Sequence, residues 1–431
     1  MPPEEPQSLQ THPAPIARSV AGTTMSIESS ELNAGTIDLD LRYKFDFTDP
    51  AVSADPFPYY RALLATPPII AQRQIPWAIV SRYDDVVKVL RDHQGYSSVN
   101  PHLPGTEGYD AFKDIPVMTF VDEPTHARLR RVAAPSLAVR RMENMAPRFL
   151  ELVDGILDEH WQGKREVDAV CYLAQELPIR AFGDLLAIPK SENETLRALG
   201  VGRPRGDNKI DFYDPNFMQS RAEFIHKLVR MRKGERGGQD LISLAIAAHE
   251  TNEKIDDLEL FGMVMVLVTG GIGTTSDLIS GAIYQMLRRP ALYNAIKHDR
   301  ALVSVLLEET LRYDGPIHTL FRVTTRDIEV GGLQIPVRTP VCVVNGAANR
   351  DPRKFPNPEE FDITRDLNDQ IGFGEGIHFC VGAAPARVEA RVAVERILER
   401  FPRIRIADGF TPTYNNNAFG RGLATLPLIL D

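Results

Sequence analysis

Cysteine is scarce in this chain of 431 residues: Cys171, Cys342 and Cys380 are its only three, and they lie far apart. Widely spaced single cysteines do not form the disulfide framework that stabilises small secreted domains. We therefore expect a chain that folds without disulfides in the reducing cytoplasm.

Positive charge and long apolar runs are also in short supply. The chain has 49 Lys and Arg against 58 Asp and Glu, a net charge of -9, so we expect no nucleic-acid partner. No apolar run approaches the roughly 18–20 residues that cross a bilayer, and we expect no membrane association. Residues 1–35 lack the cationic start and apolar core of a signal peptide. Their composition predicts a disordered N-terminal tail.

Helical periodicity dominates the rest of the chain, and the predicted fold class is mainly α with minor β. The longest helical stretch runs from Asp256 to Arg289, about 34 residues, against an average helix of roughly 11–12. Another pair of helices is predicted to break near Pro135. Strand patterns are confined to "WAIVSR", the segment around Gly331-Gly332 and the C-terminal "LATLPLIL". These patterns predict one large core.

The stretch "IGFGEGIHFCVG" places Cys380 behind a glycine-rich loop and before a helical pattern. A lone cysteine is most often a small buried hydrophobe. A nucleophile would need a base in reach, and a zinc site would need further Cys or His ligands. A haem-thiolate site explains more, because iron takes a single protein thiolate. The glycines let the backbone approach a flat macrocycle, and a helix N-terminus favours thiolate.

Here the chain resembles a known family. The run Phe373 to Gly382, "FGEGIHFCVG", resembles the cytochrome P450 signature F-G-x-G-x-H-x-C-x-G at each fixed position, including Gly374, His378 and Cys380. The resemblance extends from about Asp49 to the C-terminus. It implies a single catalytic domain over residues 36–431, folded as an α-rich triangular prism with small sheets. It also implies haem b with Cys380 as the axial iron ligand and Phe373 packed beside the thiolate.

Glu309 and Arg312, in "EETLRYDGP", resemble the E-x-x-R motif of the family, which braces the loop under the haem. On residue pattern alone they would be an ordinary ion pair within a helix. The usual third partner is an arginine, but Glu360 stands at that position. Arg350 and Arg365 are two candidates for its replacement.

Four further residues match the positions at which the family anchors the haem propionates. Buried carboxylates need cationic or hydrogen-bonding partners, and each of these side chains could otherwise be an ordinary surface group. They are His126, Arg130, Arg322 and His378.

The glycine pair Gly270-Gly271 lies in the middle of the long helix, where each glycine costs roughly 1 kcal/mol relative to alanine. Close helix packing is one explanation. The family has an opened turn here that accommodates dioxygen, and the resemblance implies that Thr274 hydrogen-bonds the dioxygen.

The chain departs from the family at Gly273, where an acid normally gates the supply of protons. Thr274 and Thr275 can hold water, but a hydroxyl does not gather protons at neutral pH. Asp277 is a possible relay if it faces inward. Water or a substrate group could otherwise supply the protons, or the chemistry could differ.

By resemblance, substrate contacts come from residues near 100–118, 200–220, 264–274, 316–320 and 415–419. The predicted pocket is mostly apolar and suits a compact hydrophobic molecule such as a terpenoid or small aromatic. His318 is its polar member and could equally be exposed on the surface. The predicted members of the pocket are Val264, Leu267, Val268, Gly270, Ile317, His318, Leu320 and Phe419.

The resemblance implies a soluble monooxygenase that uses dioxygen and electrons from a separate ferredoxin and ferredoxin reductase, since no reductase domain is evident. Arg128, Arg131, Arg140 and Arg141 form either a docking patch for an acidic ferredoxin or a solvated face. Because Gly273 replaces the acid, a peroxide-driven or reductive haem-thiolate enzyme is the alternative. A haem- or ligand-binding protein without activity is a third possibility.

Overall fold

The structure of this chain is a computed structural model. It describes residues 37–71, 77–99, 115–200, 215–232, 238, 240–250, 255–416 and 419–431. The tail predicted for residues 1–35 and most of the predicted substrate segments 100–118 and 200–220 lie outside these residues. Ile37–Asp431 form one compact unit.

Helices make up most of the described chain, as the sequence predicts. They are α1 (Leu41–Lys44), α2 (Pro50–Ala54), α3 (Phe57–Leu64), α4 (Tyr83–Arg91), α5 (Thr125–Ala133), α6 (Val139–His160), α7 (Glu176–Leu185), α8 (Asn193–Gly200), α9 (Pro215–Arg232), α10 (Leu241–Glu250), α11 (Asp257–Leu287), α12 (Pro290–His298), α13 (Leu302–Asp314), α14 (Asn345–Ala348) and α15 (Ala383–Arg400).

The strands are short. They are β1 (Ile69–Ala71), β2 (Trp77–Val80), β3 (Tyr96–Ser97), β4 (Glu166–Asp168), β5 (Leu320–Thr324), β6 (Ile328–Val330), β7 (Leu333–Ile335), β8 (Pro340–Val343), β9 (Ile404–Ile406), β10 (Tyr414–Asn416), β11 (Arg421–Leu423) and β12 (Pro427–Leu430). The largest sheet has the order β1-β2-β8-β5-β3, and a second has the order β4-β12-β9. Hairpins β6-β7 and β10-β11 complete the sheets of the described residues. The predicted class, mainly α with minor β, is confirmed.

The long helix α11 begins with a capping box. The Glu259 amide donates to the Asp256 carboxylate at 2.7 Å, and the Asp256 amide donates to the Glu259 carboxylate at 3.1 Å, which satisfies two free amides of the first turn. The helix ends at Leu287, shortly before Pro290, which opens α12. The observed bounds lie close to the predicted ones.

The core that positions the site forms where α11 packs against α6, α7, α13 and α15. Ile279, Ile283, Ala393 and Ile397 are among its fully buried members. The predicted break near Pro135 is a 3-10 turn over Ala134–Leu137 between α5 and α6. Helix α11 is long and apolar enough to cross a membrane by composition, but 61% of its most apolar window is buried inside the protein. A core helix has this property too.

Candidate functional site

Cys380 lies at the end of a tight loop whose shape depends on glycine. Gly374 and Gly376 have φ angles of 74° and 72°, a region that side chains disfavour. A Cβ at Gly376 would lie 2.4 Å from the carbonyl oxygen of Leu90. The Cys380 amide donates to the Phe373 carbonyl at 2.9 Å, which closes the loop directly before α15. The sequence prediction of a glycine-built loop before a helix is therefore confirmed.

The thiol of Cys380 experiences opposing effects. Burial raises its pKa, whereas the Gly382 amide and the positive charges of Arg130 and Arg387 lower it. The helix N-terminus thus offsets part of the cost of burying a thiolate but does not outweigh it in the protein alone. A bound metal ion deprotonates a coordinating thiol outright.

Phe373 is held in place by an ion pair that sequence reasoning missed. The Arg387 guanidinium lies over its ring, 4.4 Å from the centroid, and donates to the Glu308 carboxylate at 2.6 and 2.9 Å. Glu308 directly precedes Glu309, and Arg387 lies seven residues after Cys380. Their spacing in two separate helices gave no signal that they meet.

Glu309 and Arg312 form a fully buried bidentate pair, with two N–O distances of 2.7 Å. Arg312 also donates to the carbonyls of Asn349 and Pro358 at 3.0 Å and of Glu360 at 2.9 Å. The Asp362 amide donates to Glu309 at 2.8 Å. The pair therefore ties α13 to the segment that leads into the cysteine loop.

Arg365 is the third member of this brace. Its Nε lies 3.8 Å from the Glu309 carboxylate, and its guanidinium donates to the Asn357 carbonyl at 3.0 Å. Arg350, the other candidate, instead pairs with Glu359 at 2.6 Å. Glu360, at the usual position of the third partner, contributes its backbone carbonyl rather than its side chain.

A cluster of basic groups borders the cysteine loop. The rings of His126 and His378 lie 4.1 Å apart between centroids, and His378 shares a hydrogen bond with the Ser98 hydroxyl at 3.0 Å. Burial and the nearby positive charges of Arg322 and Arg130 lower the pKa of His378 to about 2. All four predicted propionate anchors are therefore neighbours.

The two arginines of this cluster are cations in a largely dry environment. Arg322 is 6% exposed, and burial lowers its pKa to about 10 although Asp122 opposes the shift. Burial also lowers the pKa of Arg130. Within the described residues, neither forms an ion pair, and Nε2 of His126 is buried without a hydrogen-bond partner. These groups suit an anionic ligand.

Helix α11 presents two distinct faces, and part of the predicted pocket lies on its more buried face. Val264, Leu267 and Val268 are 1%, 6% and 0% exposed and pack into an apolar core cluster. Thr275 is buried on the same face at 4%. In this structure these side chains pack against other protein groups, and their predicted roles at the site stay predictions. In a helix that is apolar on all sides, the pattern does not distinguish core from pocket.

The residues on the less buried face of α11 recur every three or four positions, as expected for one side of a helix. Sequence reasoning did not single out Val266 and Thr269, which lie within the predicted contact segment 264–274. The members of this face are Val266, Thr269, Gly270, Gly273, Thr274 and Asp277. Apart from Asp277 at its far end, this face carries no charge.

The two adjacent glycines of α11 have different structural roles. A Cβ at Gly271 would lie 2.0 Å from the Phe182 ring, so close packing with α7 accounts for this glycine. A Cβ at Gly270 would meet nothing within 4 Å. The expected opened turn is not formed, because α11 is continuous here and the Thr274 hydroxyl donates to the Gly270 carbonyl at 2.6 Å.

The remaining predicted pocket residues divide in a similar way. Leu320 approaches the cysteine loop, with its Cδ1 3.9 Å from a Cβ built on Gly374. Ile317 pairs with Gly420 through an isolated β-bridge. Phe419 packs edge-on against Phe321 at 5.5 Å. Ile317 and Phe419 thus lie close together at the C-terminal turn, whereas Leu320 lies beside the cysteine loop.

His318 faces the protein interior rather than solvent. It is 2% exposed, its Nδ1 shares a 2.6 Å hydrogen bond with the Tyr60 hydroxyl, and its Nε2 lies 3.4 Å from Asp314. Nδ1 is thus engaged by Tyr60, whereas Nε2 is buried without a hydrogen-bond partner. The exposed alternative for His318 is wrong, and its place in the substrate pocket stays a prediction.

Comparison with known proteins decides the family. A family model described as cytochrome P450 matches residues 213–425. The cytochrome P450 monooxygenase PikC of Streptomyces venezuelae is 33% identical over 87% of this chain and 91% of its own length. The chain belongs to the cytochrome P450 family. The vitamin D(3) 25-hydroxylase of Pseudonocardia autotrophica is 31% identical over 87% of this P450 and 94% of its own length.

Solved structures agree. The myxobacterial cytochrome P450 CYP267B1, in complex with myristic acid, superposes with a TM-score of 0.79 at 30% identity, covering 89% of this P450 and 98% of its own chain. This P450 is a bacterial-type, haem-iron monooxygenase, and the cofactor of the family is haem b. The described residues fit that group: a buried guanidinium group (Arg322), a half-buried one (Arg130) and the unpartnered Nε2 of His126 lie near a loop that ends in a thiol.

Proposed function

We propose that this P450 hydroxylates a small apolar organic substrate with dioxygen, using electrons from a separate ferredoxin and reductase. The observation that carries the proposal is the buried Arg322 and the half-buried Arg130 beside the glycine loop of Cys380, neither of which forms an ion pair within the described residues. This arrangement suits a flat dianionic cofactor with one thiolate ligand.

In this proposal Cys380 is the axial ligand, and Gly374 and Gly382 let the backbone lie close to the cofactor. Arg322, Arg130, His126 and His378 hold its two propionates through charge-assisted hydrogen bonds. Phe373, which packs against the Arg387 guanidinium, shields the Cys380 sulfur from water. The bound haem supplies the activation of dioxygen for insertion of one oxygen atom into a C–H bond.

On the opposite side, the uncharged stretch of α11 from Val266 to Thr274 forms one wall of the substrate site. Gly270 leaves room beside Thr274, whose hydroxyl is oriented by its bond to the Gly270 carbonyl. Leu320 beside the cysteine loop, and Ile317 and Phe419 at the C-terminal turn, add apolar surface. A wall with a single hydroxyl and no charge favours an apolar substrate.

Electron delivery requires a docking surface, and the four predicted arginines differ in exposure. Arg128 is half-buried and forms a bidentate ion pair with Glu259. Arg131 and Arg140 are exposed on either side of the 3-10 turn between α5 and α6. We propose that they, with Arg141, attract an acidic ferredoxin in the cytoplasm.

The test is a substrate screen followed by turnover. Haem-loaded protein is titrated with a panel that includes myristic acid, a terpenoid and small aromatics, and the shift of its absorption spectrum reports binding. Compounds that bind are then incubated with NADH, ferredoxin and reductase. Substrate-dependent NADH consumption with a hydroxylated product supports the proposal. Binding without NADH consumption or product contradicts it.

A peroxide-driven enzyme is the second candidate, because Gly273 stands where the family has an acid. Hydrogen peroxide brings its own protons and both electrons. Product formation with hydrogen peroxide at a higher rate than with NADH, ferredoxin and reductase would favour this candidate.

A further inference from the structure

Asp277 lies one helical turn beyond Gly273 and Thr274 on the less buried face of α11. Residues three and four apart are neighbours on a helix surface, and each Cα–Cβ bond tilts toward the helix N-terminus. The Asp277 side chain therefore starts out toward the turn that holds Gly273 and Thr274. Position 273 contributes no side chain to this space.

The fold makes specific room for the Asp277 carboxyl group. A Cβ at Gly422 of β11 would lie 1.8 Å from Oδ1 and 2.7 Å from Oδ2 of Asp277. Gly422 is held in the hairpin by its pairing with Asn415 of β10. The carboxyl group thus occupies space that only glycine leaves at this position of the hairpin.

No neighbouring positive charge within the described residues stabilises the ionised form of the Asp277 carboxyl group. Burial raises the pKa of Asp277 to about 7, and no charged side chain of the described residues shifts it appreciably. Helix α11 packs against β11, α13 and α15. Among the charged groups of these elements, Arg421 pairs with Asp314, Glu309 with Arg312, and Arg387 with Glu308. Glu389 of α15 is itself a buried acid.

We propose that Asp277 supplies protons to the site in place of the acid that is missing at position 273. The inference rests on the proposed monooxygenase function. That reaction is RH + O2 + NADH + H+ giving ROH + H2O + NAD+, and it delivers two electrons and two protons in each turnover. Asp277 passes a proton from its carboxyl group toward the Thr274 hydroxyl, is left as a carboxylate and regains a proton from solvent.

The test compares Asp277→Asn, the double variant Asp277→Asn with Gly273→Asp, and Ser280→Ala as a control. Ser280 lies one turn further along α11 and bonds only to backbone carbonyls, Ser276 at 2.9 Å and Asp277 at 3.3 Å. NADH consumption with ferredoxin and reductase is measured with myristic acid as the probe, on both sides of pH 7. Turnover driven by hydrogen peroxide is measured in parallel.

We expect Asp277→Asn to slow NADH-driven consumption by about 100-fold, the scale of general acid catalysis, and to remove its dependence on pH near neutrality. Peroxide-driven turnover should change little, because peroxide brings its own protons. The added Gly273→Asp should restore much of the loss, and Ser280→Ala should match the parent. NADH-driven consumption unchanged in Asp277→Asn would overturn the inference, as would an equal loss in Ser280→Ala.

A second readout does not depend on turnover. Infrared difference spectra between the haem-loaded parent and Asp277→Asn should contain a protonated carboxyl band that disappears as the pH rises through about 7. If the parent consumes no NADH with myristic acid, the proposed function fails for this probe, and the infrared titration still decides the state of Asp277. A parent without that band below pH 7 refutes the inference.

Discussion

Replacing Glu309 by glutamine should destabilise this P450 far more than its local geometry suggests. The substitution preserves shape but leaves the Arg312 guanidinium buried without its counter-charge, and both side chains are 0% exposed. Breaking a buried ion pair from one side costs about 3–5 kcal/mol. Arg312 keeps three backbone carbonyls as acceptors, so we expect about 3 kcal/mol, the lower end of that range.

The matched control is Asp154→Asn. Asp154 accepts two bonds from Arg396 at 2.7 and 2.9 Å, the same bidentate geometry, but the two side chains are 30% and 22% exposed. Solvent screens such a pair, so we expect a loss below about 1 kcal/mol. Guanidinium unfolding followed by circular dichroism measures both variants, and the haem absorbance reports cofactor retention. Equal losses in the two variants would refute the assignment of Glu309 as the buried brace.

Three further predictions concern the cofactor and the core. The family resemblance implies absorption near 450 nm for the reduced carbon monoxide complex, and Cys380→Ser should abolish that band. Cys342→Ser, in β8, should retain it. A retained band in Cys380→Ser would contradict the assignment of Cys380 as the iron ligand. Arg322→Ala should weaken haem retention while leaving probe affinity of the loaded fraction nearly unchanged, and the opposite pattern would place Arg322 in the substrate site. Burial raises the pKa of Glu389 to about 8, so the parent loses on the order of 5 kcal/mol of its free energy of unfolding as the pH rises from about 4.5 to 8. Glu389→Gln has no carboxyl group to ionise and should therefore gain stability relative to the parent over that range. Parallel pH profiles of unfolding for the two proteins would show that Glu389 ionises freely in the fold.

The sequence predicted the features that depend on local pattern. Helix α11 was placed to within a few residues, because its capping residue, its apolar run and Pro290 are all neighbours in the chain. The loop of Cys380 was equally local. Strands such as β3 and β4, of two and three residues, escaped prediction because so few residues carry no periodicity.

Features that depend on distant contacts could not be predicted. Sequence named Arg350 and Arg365 as candidates, but the choice of Arg365 requires its guanidinium to meet Glu309 across two segments, which no spacing encodes. The interior position of His318 depends on Tyr60, 258 residues earlier. The pocket face of α11 is hard to choose from sequence for a different reason, since Val264 and Val266 are chemically alike and only their neighbours distinguish them.

The contact between Gly271 and Phe182 has a practical consequence for changing the specificity of this enzyme. A methyl group at position 271 would overlap the ring of Phe182, so variants at that position are viable only with a smaller partner at 182. Randomising the whole glycine pair would therefore place most variants in conflict with Phe182. A library that fixes Gly271 and varies Val266, Thr269 and Gly270 would instead change only the less buried face of α11.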